Sequence, residues 1–377
     1  MVGGMVCVRV ELGSRSYEVR IVSGEGAGGF GPFGREALDR SWAGRGCRSA
    51  LVVTDSNLAG MAGDFVGALE GVGIASGLEV IPAGESSKSL EWASALYDRL
   101  VAMKADRHSC VVAVGGGVVG DLAGFVAATY ARGLPMLMVP TSLLAQVDSS
   151  VGGKVGVNHP GAKNIIGAFH QPAGVWIDTE SLATLPAREF RCGMAEVIKY
   201  GVILDPTFFE YLEGAAGAIE ARDPAAIRRV IARSCELKAD VVGRDEREET
   251  GLRAVLNFGH TIGHAVEAVS GYDGAYRHGE AVAVGMVAES RLAGRLGWIG
   301  PEPTARLVAL LRRFGLPVEA PGLDPGAMLA AMGRDKKNRG GRIRFVLPRA
   351  IGRVELAEAP EAEIRAAMAA RAGSEGA

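Results

Sequence analysis

The chain has 377 residues, 48% hydrophobic and 22% charged, with a net charge of −2. That length is too great for one ordinary core and predicts two domains, and the composition excludes a disordered chain. The near balance of charge gives no general pull toward nucleic acid or an anionic membrane surface. At the N-terminus, "MVGGMVCVRVELG" lacks a charged segment followed by a long apolar one, so no signal peptide is expected. Next, "SALVVTDSN" predicts a buried strand ending in a turn, and "GLEVIPAGESSKSLEWASALYDRLVAM" a strand, a polar loop and an amphipathic helix. "SCVVAVGGG" predicts a further strand, "VVGDLAGFVAATYARG" a helix of small residues, and "PMLMVPTS" another strand. Strands alternating with helices imply a parallel α/β sheet, whose functional loops lie at the carboxyl ends of the strands. Asp55, Gly115 to Gly117 and Thr141 fall at such ends.

The most apolar region, "CVVAVGGGVVGDLAGFVAATYARGLPMLMVP", carries Asp121, Arg132 and a glycine cluster, which argues against a membrane span. Five cysteines are scattered without C-x-x-C, against a disulfide framework or thiolate zinc site and for a reducing compartment. A cytoplasmic protein is expected. "GGGVVG" satisfies G-x-G-x-x-G between strand and helix, where glycines let a backbone approach a pyrophosphate and the helix N-terminus favours its charge. No acidic residue follows about 20 positions on, as a dinucleotide fingerprint requires. A plain tight turn in a chain with 54 glycines explains the match equally well. "SSVGGKVGVN" fails as a P-loop because Val155 follows Lys154, although its glycines could bring Lys154 to an anion.

From about Pro186 the helical period dominates. "REFRCGMAEVIKYGVI" sets Glu196 and Lys199 at i and i+3, on one face, and "DPAAIRRVIARSCELKADVVGRDE" predicts a long helix bearing Lys238. Three of the six histidines, His260, His264 and His278, crowd into "NFGHTIGHAVEAVSGYDGAYRHGE". His260, His264 and Glu267 share one face, and Ile262, Val266 and Val269 another, the packing side. Two histidines one turn apart are metal-ligand spacing, or a pair of hydrogen-bonded polar side chains; a third histidine before Glu280 favours metal. Thr261 replaces the glutamate that H-E-x-x-H would need, which argues against a hydrolytic zinc protease. Lys154, Lys163, Lys199, Lys238, Arg253 and "GRDKKNRGGRIRF" read singly as solvated charges; converging near a metal, they would suit a substrate with carboxylate and phosphate groups.

"GGGVVGDLAGF", "VPTSLLAQVDSSVGGKVGVN", "TLPAREFRCGMAEVIKYG", "DEREETGLRAVLNFGHTIGHAVEA", "RHGEAVAVGM" and "MGRDKKNRGG…FVLPRAIG" follow in this order and together resemble the 3-dehydroquinate synthase family of sugar-phosphate cyclases. The resemblance runs from "SRSYEVRIVSG" to "IGRVEL". It implies an α/β fold: an N-terminal Rossmann-like parallel-sheet NAD-binding domain (1–185) and a C-terminal all-helical metal- and substrate-binding domain (186–377), with the active site between. A homodimer is also implied. The implied metal ligands, for zinc or cobalt, are Glu196, His260 and His278, with His264 moved from the metal to catalysis. NAD would be held by Asp55, Glu85, Lys88, Gly115, Gly116, Gly117, Asp121, Thr141, Ser142, Lys163 and Thr184, with Lys154 shared with the substrate. Substrate positions would be Asp148, Lys154, Asn164, Lys199, Lys238, Arg253, Asn257, His264 and Lys336, while Arg132 reaches the neighbouring subunit's substrate phosphate. Thr141-Ser142 stands where many relatives have Thr-Thr.

The implied reaction converts the sugar phosphate 3-deoxy-D-arabino-heptulosonate 7-phosphate to 3-dehydroquinate and phosphate, within the shikimate pathway of aromatic amino acid biosynthesis. It proceeds by transient oxidation at C5, phosphate elimination, reduction and an intramolecular aldol closure. The rivals are an amino-dehydroquinate type of cyclase and a metal-dependent glycerol or alcohol dehydrogenase. Dehydrogenases of that plan read GGGS where this chain has Val118 after Gly117, and Asn257 and the "DKKN" lysines favour the cyclase.

Overall fold

The computed structural model describes residues 5–41, 46–271, 275–333 and 343–369. Lys336 lies outside them. Two compact units emerge: one runs up to Pro186 and includes Ile227–Arg247, the other joins Ala187–Ala226 to the chain from Glu248 onward. Residues 227–247, which a division at 185/186 assigns to the second domain, thus cluster with the first. No helix among the described residues is long and apolar enough to cross a membrane.

The first unit is built on a seven-stranded sheet. Its strands are β1 (Val6–Val10), β2 (Tyr17–Val22), β3 (Ser49–Asp55), β4 (Ala75–Ile81), β5 (Ser109–Gly115), β6 (Met136–Pro140) and β9 (Gly174–Asp178). They lie in the order β1-β2-β9-β6-β5-β3-β4, antiparallel only between β1 and β2. β5, β6 and β9 are buried at every residue, which explains their unbroken apolar sequences: a parallel strand covered on both faces has no polar side. Helices α1 (Phe30–Ser41), α2 (Ala59–Gly71), α3 (Leu90–Ala102) and α4 (Gly117–Thr129) follow their strands. Phe30, Phe33, Phe65 and Trp176 fill the core under α1, with Phe30 meeting Phe65 edge-on at 4.9 Å and Phe33 tilted against Trp176 at 5.4 Å. An antiparallel hairpin, β7 (Lys154–His159) and β8 (Ala162–Phe169), stands apart from the main sheet.

Because β3, β5 and β6 run parallel, their carboxyl ends share one edge, where Asp55 and Gly115 end their strands and Thr141 follows β6. Thr141 N–H donates to the Gly115 carbonyl at 3.0 Å.

The second unit contains α5 (Ala187–Leu204), α6 (Pro206–Gly214) and α7 (Ala216–Glu220), then α9 (His260–Val269), α10 (His278–Arg295), α11 (Pro301–Arg313), α12 (Pro325–Gly333) and α13 (Glu361–Ala369). The long helix α8 (Pro224–Arg244) supplies most of the 227–247 stretch of the first unit. One hairpin, β10 (Arg344–Ala350) and β11 (Arg353–Glu358), interrupts the helices, turning at Gly352, whose φ is +88°. The Gly352 N–H ties it to the Val202 carbonyl of α5 at 2.8 Å. Ile262 and Val266 pack in one cluster with Ala281, Val284 and Leu292, and Val269 lies against it, so the apolar face predicted for α9 is its packing face.

Two helix contacts close to backbone distance position the histidines. A Cβ at Gly285 of α10 would collide with the Gly259 carbonyl and lie 2.8 Å from Gly263 N, while one at Gly279 would come within 2.6 Å of Cys192 Cα on α5. Gly285→Ala is therefore expected to cost about 1–3 kcal/mol by forcing α9 and α10 apart. Denaturant unfolding of the metal-free protein measures it, and wild-type stability would show that the crossing is looser than this packing.

Candidate active site

Glu196 sits midway along α5, among residues buried on nearly every side of that helix. His260 and His278 are the first residues of α9 and α10. Glu196 Oε1 lies 3.6 Å from His260 Nε2 and 3.8 Å from His278 Nε2. One ligand atom from each of the three falls within 4.8 Å of the others, a grouping able to hold a metal ion. The Glu196 carboxylate is fully buried, and neither oxygen makes a hydrogen bond of ordinary geometry. The ammonium of Lys199, itself 1% exposed, pairs with it one helical turn along. A carboxylate desolvated in this way needs a cation. One oxygen and two imidazole nitrogens form a donor set that suits zinc or cobalt and leaves a coordination position open.

Each imidazole is held at its other nitrogen. His278 Nδ1 lies 3.1 Å from Glu267 Oε2, so the ring donates there and turns Nε2 toward Glu196. Burial pushes the His278 pKa down, but the Glu267 hydrogen bond and the charges of Glu267 and Glu196 outweigh it and the net shift is upward. His260 Nδ1 faces the Phe258 carbonyl at 3.2 Å. His264 belongs to a second grouping, with Glu267 and His278, its ring centroid 5.5 Å from that of His260 and 6.1 Å from that of His278. Just before α9, a 3-10 turn at Leu252–Asn257 carries Arg253, 2% exposed with its Nε 3.8 Å from Glu248 Oε1, and the half-buried Asn257.

In the first unit, Lys88 is 5% exposed and its ammonium donates to both Asp121 Oδ2 and Asn164 Oδ1. Burial pushes the Asp121 carboxyl up, against the opposing pull of Lys88. Asn158 extends the network: it donates to Glu85 Oε1 at 2.7 Å and accepts the Asn164 N–H at 2.9 Å. Gly115–Gly117 turns into α4, whose N-cap, Gly116, offers no side chain to the helix's first N–H groups. A small cavity lined by Gly115, Gly116, Gly120, Ser149 and Ser150 adjoins this turn. Uncapped N–H groups beside glycines fit a pyrophosphate. Asp55 accepts the Asn57 N–H at 2.9 Å, and Ser142 Oγ the Ala145 N–H at 3.3 Å.

Lys238 reaches from α8 to Asp148, bonding its carboxylate and its carbonyl, each at 2.6 Å. Arg132 stands exposed in left-handed backbone (φ +64°) after Ala131 (φ +49°); Lys154 and Thr184 are also exposed, and Lys163 is half-buried. The three candidate ligands, Lys199, Arg253, Asn257 and His264 thus lie in the second unit. The Lys88 network, the glycine turn and the Lys238–Asp148 pair lie in the first. Glu267, which holds the His278 ring, is legible in the sequence only as part of a helix face, although its place one turn beyond His264 is a usable signal.

Against known proteins, the family model described as 3-dehydroquinate synthase N-terminal matches residues 78–192, and the C-terminal one residues 193–338. The 3-dehydroquinate synthase of Desulforamulus reducens is 47% identical over 367 residues, covering 97% of this chain and 99% of the relative. Among solved structures, 2-epi-5-epi-valiolone synthase from Streptomyces hygroscopicus subsp. jinggangensis 5008, with NAD+ and Zn2+ bound, superposes with a TM-score of 0.83 at 31% identity. That match covers 93% of this chain and 95% of that one. A 2-deoxy-scyllo-inosose synthase complexed with carbaglucose-6-phosphate, NAD+ and Co2+ gives 0.84 at 25% identity, covering 96% and 99%. With two adjoining family models matched over residues 78–338 and near-complete coverage of a curated relative, the chain belongs to the 3-dehydroquinate synthase family.

Proposed function

We propose that this protein converts 3-deoxy-D-arabino-heptulosonate 7-phosphate to 3-dehydroquinate and phosphate, using NAD and a zinc or cobalt ion. The observation that carries the reading is the buried Glu196 carboxylate faced by His260 and His278, with Lys199 beside it. When bound, NAD accepts and returns a hydride, and the metal acts as a Lewis acid on a substrate oxygen.

The chain's own residues do the rest. The Gly115–Gly117 turn, Asp55, Glu85, Lys88, Asp121, Thr141, Ser142, Lys163 and Thr184 hold the nucleotide. The uncapped start of α4 supports this, since its N–H groups can receive a pyrophosphate. Lys199, Arg253 and Asn257 orient the substrate beside the metal, and His264 moves a proton at its imidazole nitrogen. Lys238, fixed by Asp148, joins Lys154 and Asn164 in anchoring the anionic groups. Arg132 extends to the substrate phosphate of a second subunit in a homodimer, and its exposed, left-handed placement suits a contact outside its own chain. The protein acts in the cytoplasm. Incubation with the heptulosonate phosphate, NAD and zinc is expected to release phosphate and form 3-dehydroquinate in equal amounts. Phosphate release without that product would overturn the reading.

A further inference from the structure

Glu289, on α10, is fully buried. One carboxylate oxygen accepts the Gly259 N–H at 2.7 Å, and the other the Ile262 N–H at 3.4 Å. The Gly259 nitrogen and the Phe258 carbonyl belong to the same peptide unit, and that carbonyl faces His260 Nδ1 at 3.2 Å. A continuous path therefore runs from the Glu289 carboxylate through one amide plane to the His260 ring. Charge at one end of an amide polarises the other, so its carbonyl becomes a better acceptor. The plane is also held sterically. Gly259 has a φ of +80°, and a Cβ there would come within 2.5 Å of Met286 Cγ and 2.8 Å of the Val282 carbonyl.

We infer that Glu289 is a positioning residue for the metal ligand His260, acting through the Phe258–Gly259 peptide to keep Nδ1 protonated and Nε2 directed at Glu196. Each imidazole then has a carboxylate behind it: Glu267 directly for His278, and Glu289 across one peptide for His260. The inference rests on Glu196, His260 and His278 being the metal ligands. A helix cap with no effect on the metal is the competing role, and the two differ in what a charge-neutral substitution does.

Zinc affinity of the metal-free protein is to be measured by competition with a chromogenic chelator, for wild type, Glu289→Gln and Val284→Ala. Val284 lies on α10 in the apolar cluster, and its side chain has no polar atom to take part in the relay. Glu289→Gln is expected to weaken zinc binding about 10-fold, as loss of an outer-shell partner does, with little change in the melting temperature of the metal-free protein. Val284→Ala should lower that temperature and leave zinc affinity unchanged. Wild-type affinity in Glu289→Gln, or equal losses of affinity in both variants, would overturn the relay while leaving the metal site intact. No zinc binding by the wild type would overturn the metal reading itself. Should Glu289→Gln fail to fold, the unaltered protein can still overturn the relay. With 15N-labelled histidine, assigned through His260→Gln, the relay requires His260 to carry its proton on Nδ1 before metal is added, and a proton on Nε2 would sink it.

Discussion

Chelation is expected to abolish turnover, with zinc or cobalt restoring it, and two histidines of one helix are expected to respond differently to mutation. His260 faces Glu196 through Nε2, so His260→Ala removes one of the three candidate ligands. The loss of metal affinity should exceed the 10- to 100-fold that outer-shell partners are worth. His264 stands one turn along α9 and groups instead with Glu267 and His278. If it handles the substrate's proton, His264→Ala should keep the metal and lose about 100- to 10,000-fold in rate. Metal content after dialysis, measured beside kcat, tests both. Equal metal loss in the two variants would revive a simple histidine pair as the metal site.

A second large effect is expected at Lys199. Its ammonium is the close partner of a carboxylate with no solvent exposure. Lys199→Met fills similar space but leaves Glu196 as an unpaired buried charge, a change that costs about 3–5 kcal/mol. The metal-free variant should therefore melt well below the wild type. Bound zinc replaces the missing cation, so saturating zinc should raise the variant's melting temperature by more than it raises the wild type's. Ligand binding alone gives about 2.7 kcal/mol at 100 times Kd, and only the excess in the variant reports on Glu196. An equal shift in both proteins would mean that Lys199 and the metal do not share that carboxylate.

The parallel sheet could be read in advance because its strands are short apolar runs punctuated by turns, as in "SALVVTDSN" and "SCVVAVGGG". Parallel pairing then forces Asp55, Gly115 and Thr141 to one edge. The β7–β8 hairpin was not legible: β8 has no buried residue and holds glycine, lysine and asparagine, so it lacks a buried strand's apolar run. Nor was the grouping of residues 227–247 with the first unit, which depends on contacts such as Lys238 with Asp148 rather than on chain order. In α9, spacing placed His260, His264 and Glu267 on one face and paired His260 with His264, whereas the structure groups His260 with Glu196 and His278. Glu196 is distant in sequence, and only its resemblance to a family motif connected it with the histidines before the fold did. Glu289 reaches His260 through a peptide, and no side-chain pattern encodes such a path.

A cyclase and a dehydrogenase differ in what becomes of the hydrogen at C5. Substrate carrying deuterium at C5 should be incubated with enzyme and one equivalent of NAD, following phosphate, product and absorbance of the reduced nicotinamide together. Many phosphates released per NAD, no net rise in that absorbance, and deuterium retained in 3-dehydroquinate are the expected result. Reduced nicotinamide accumulating in step with substrate consumed, or loss of the label from C5, would contradict it.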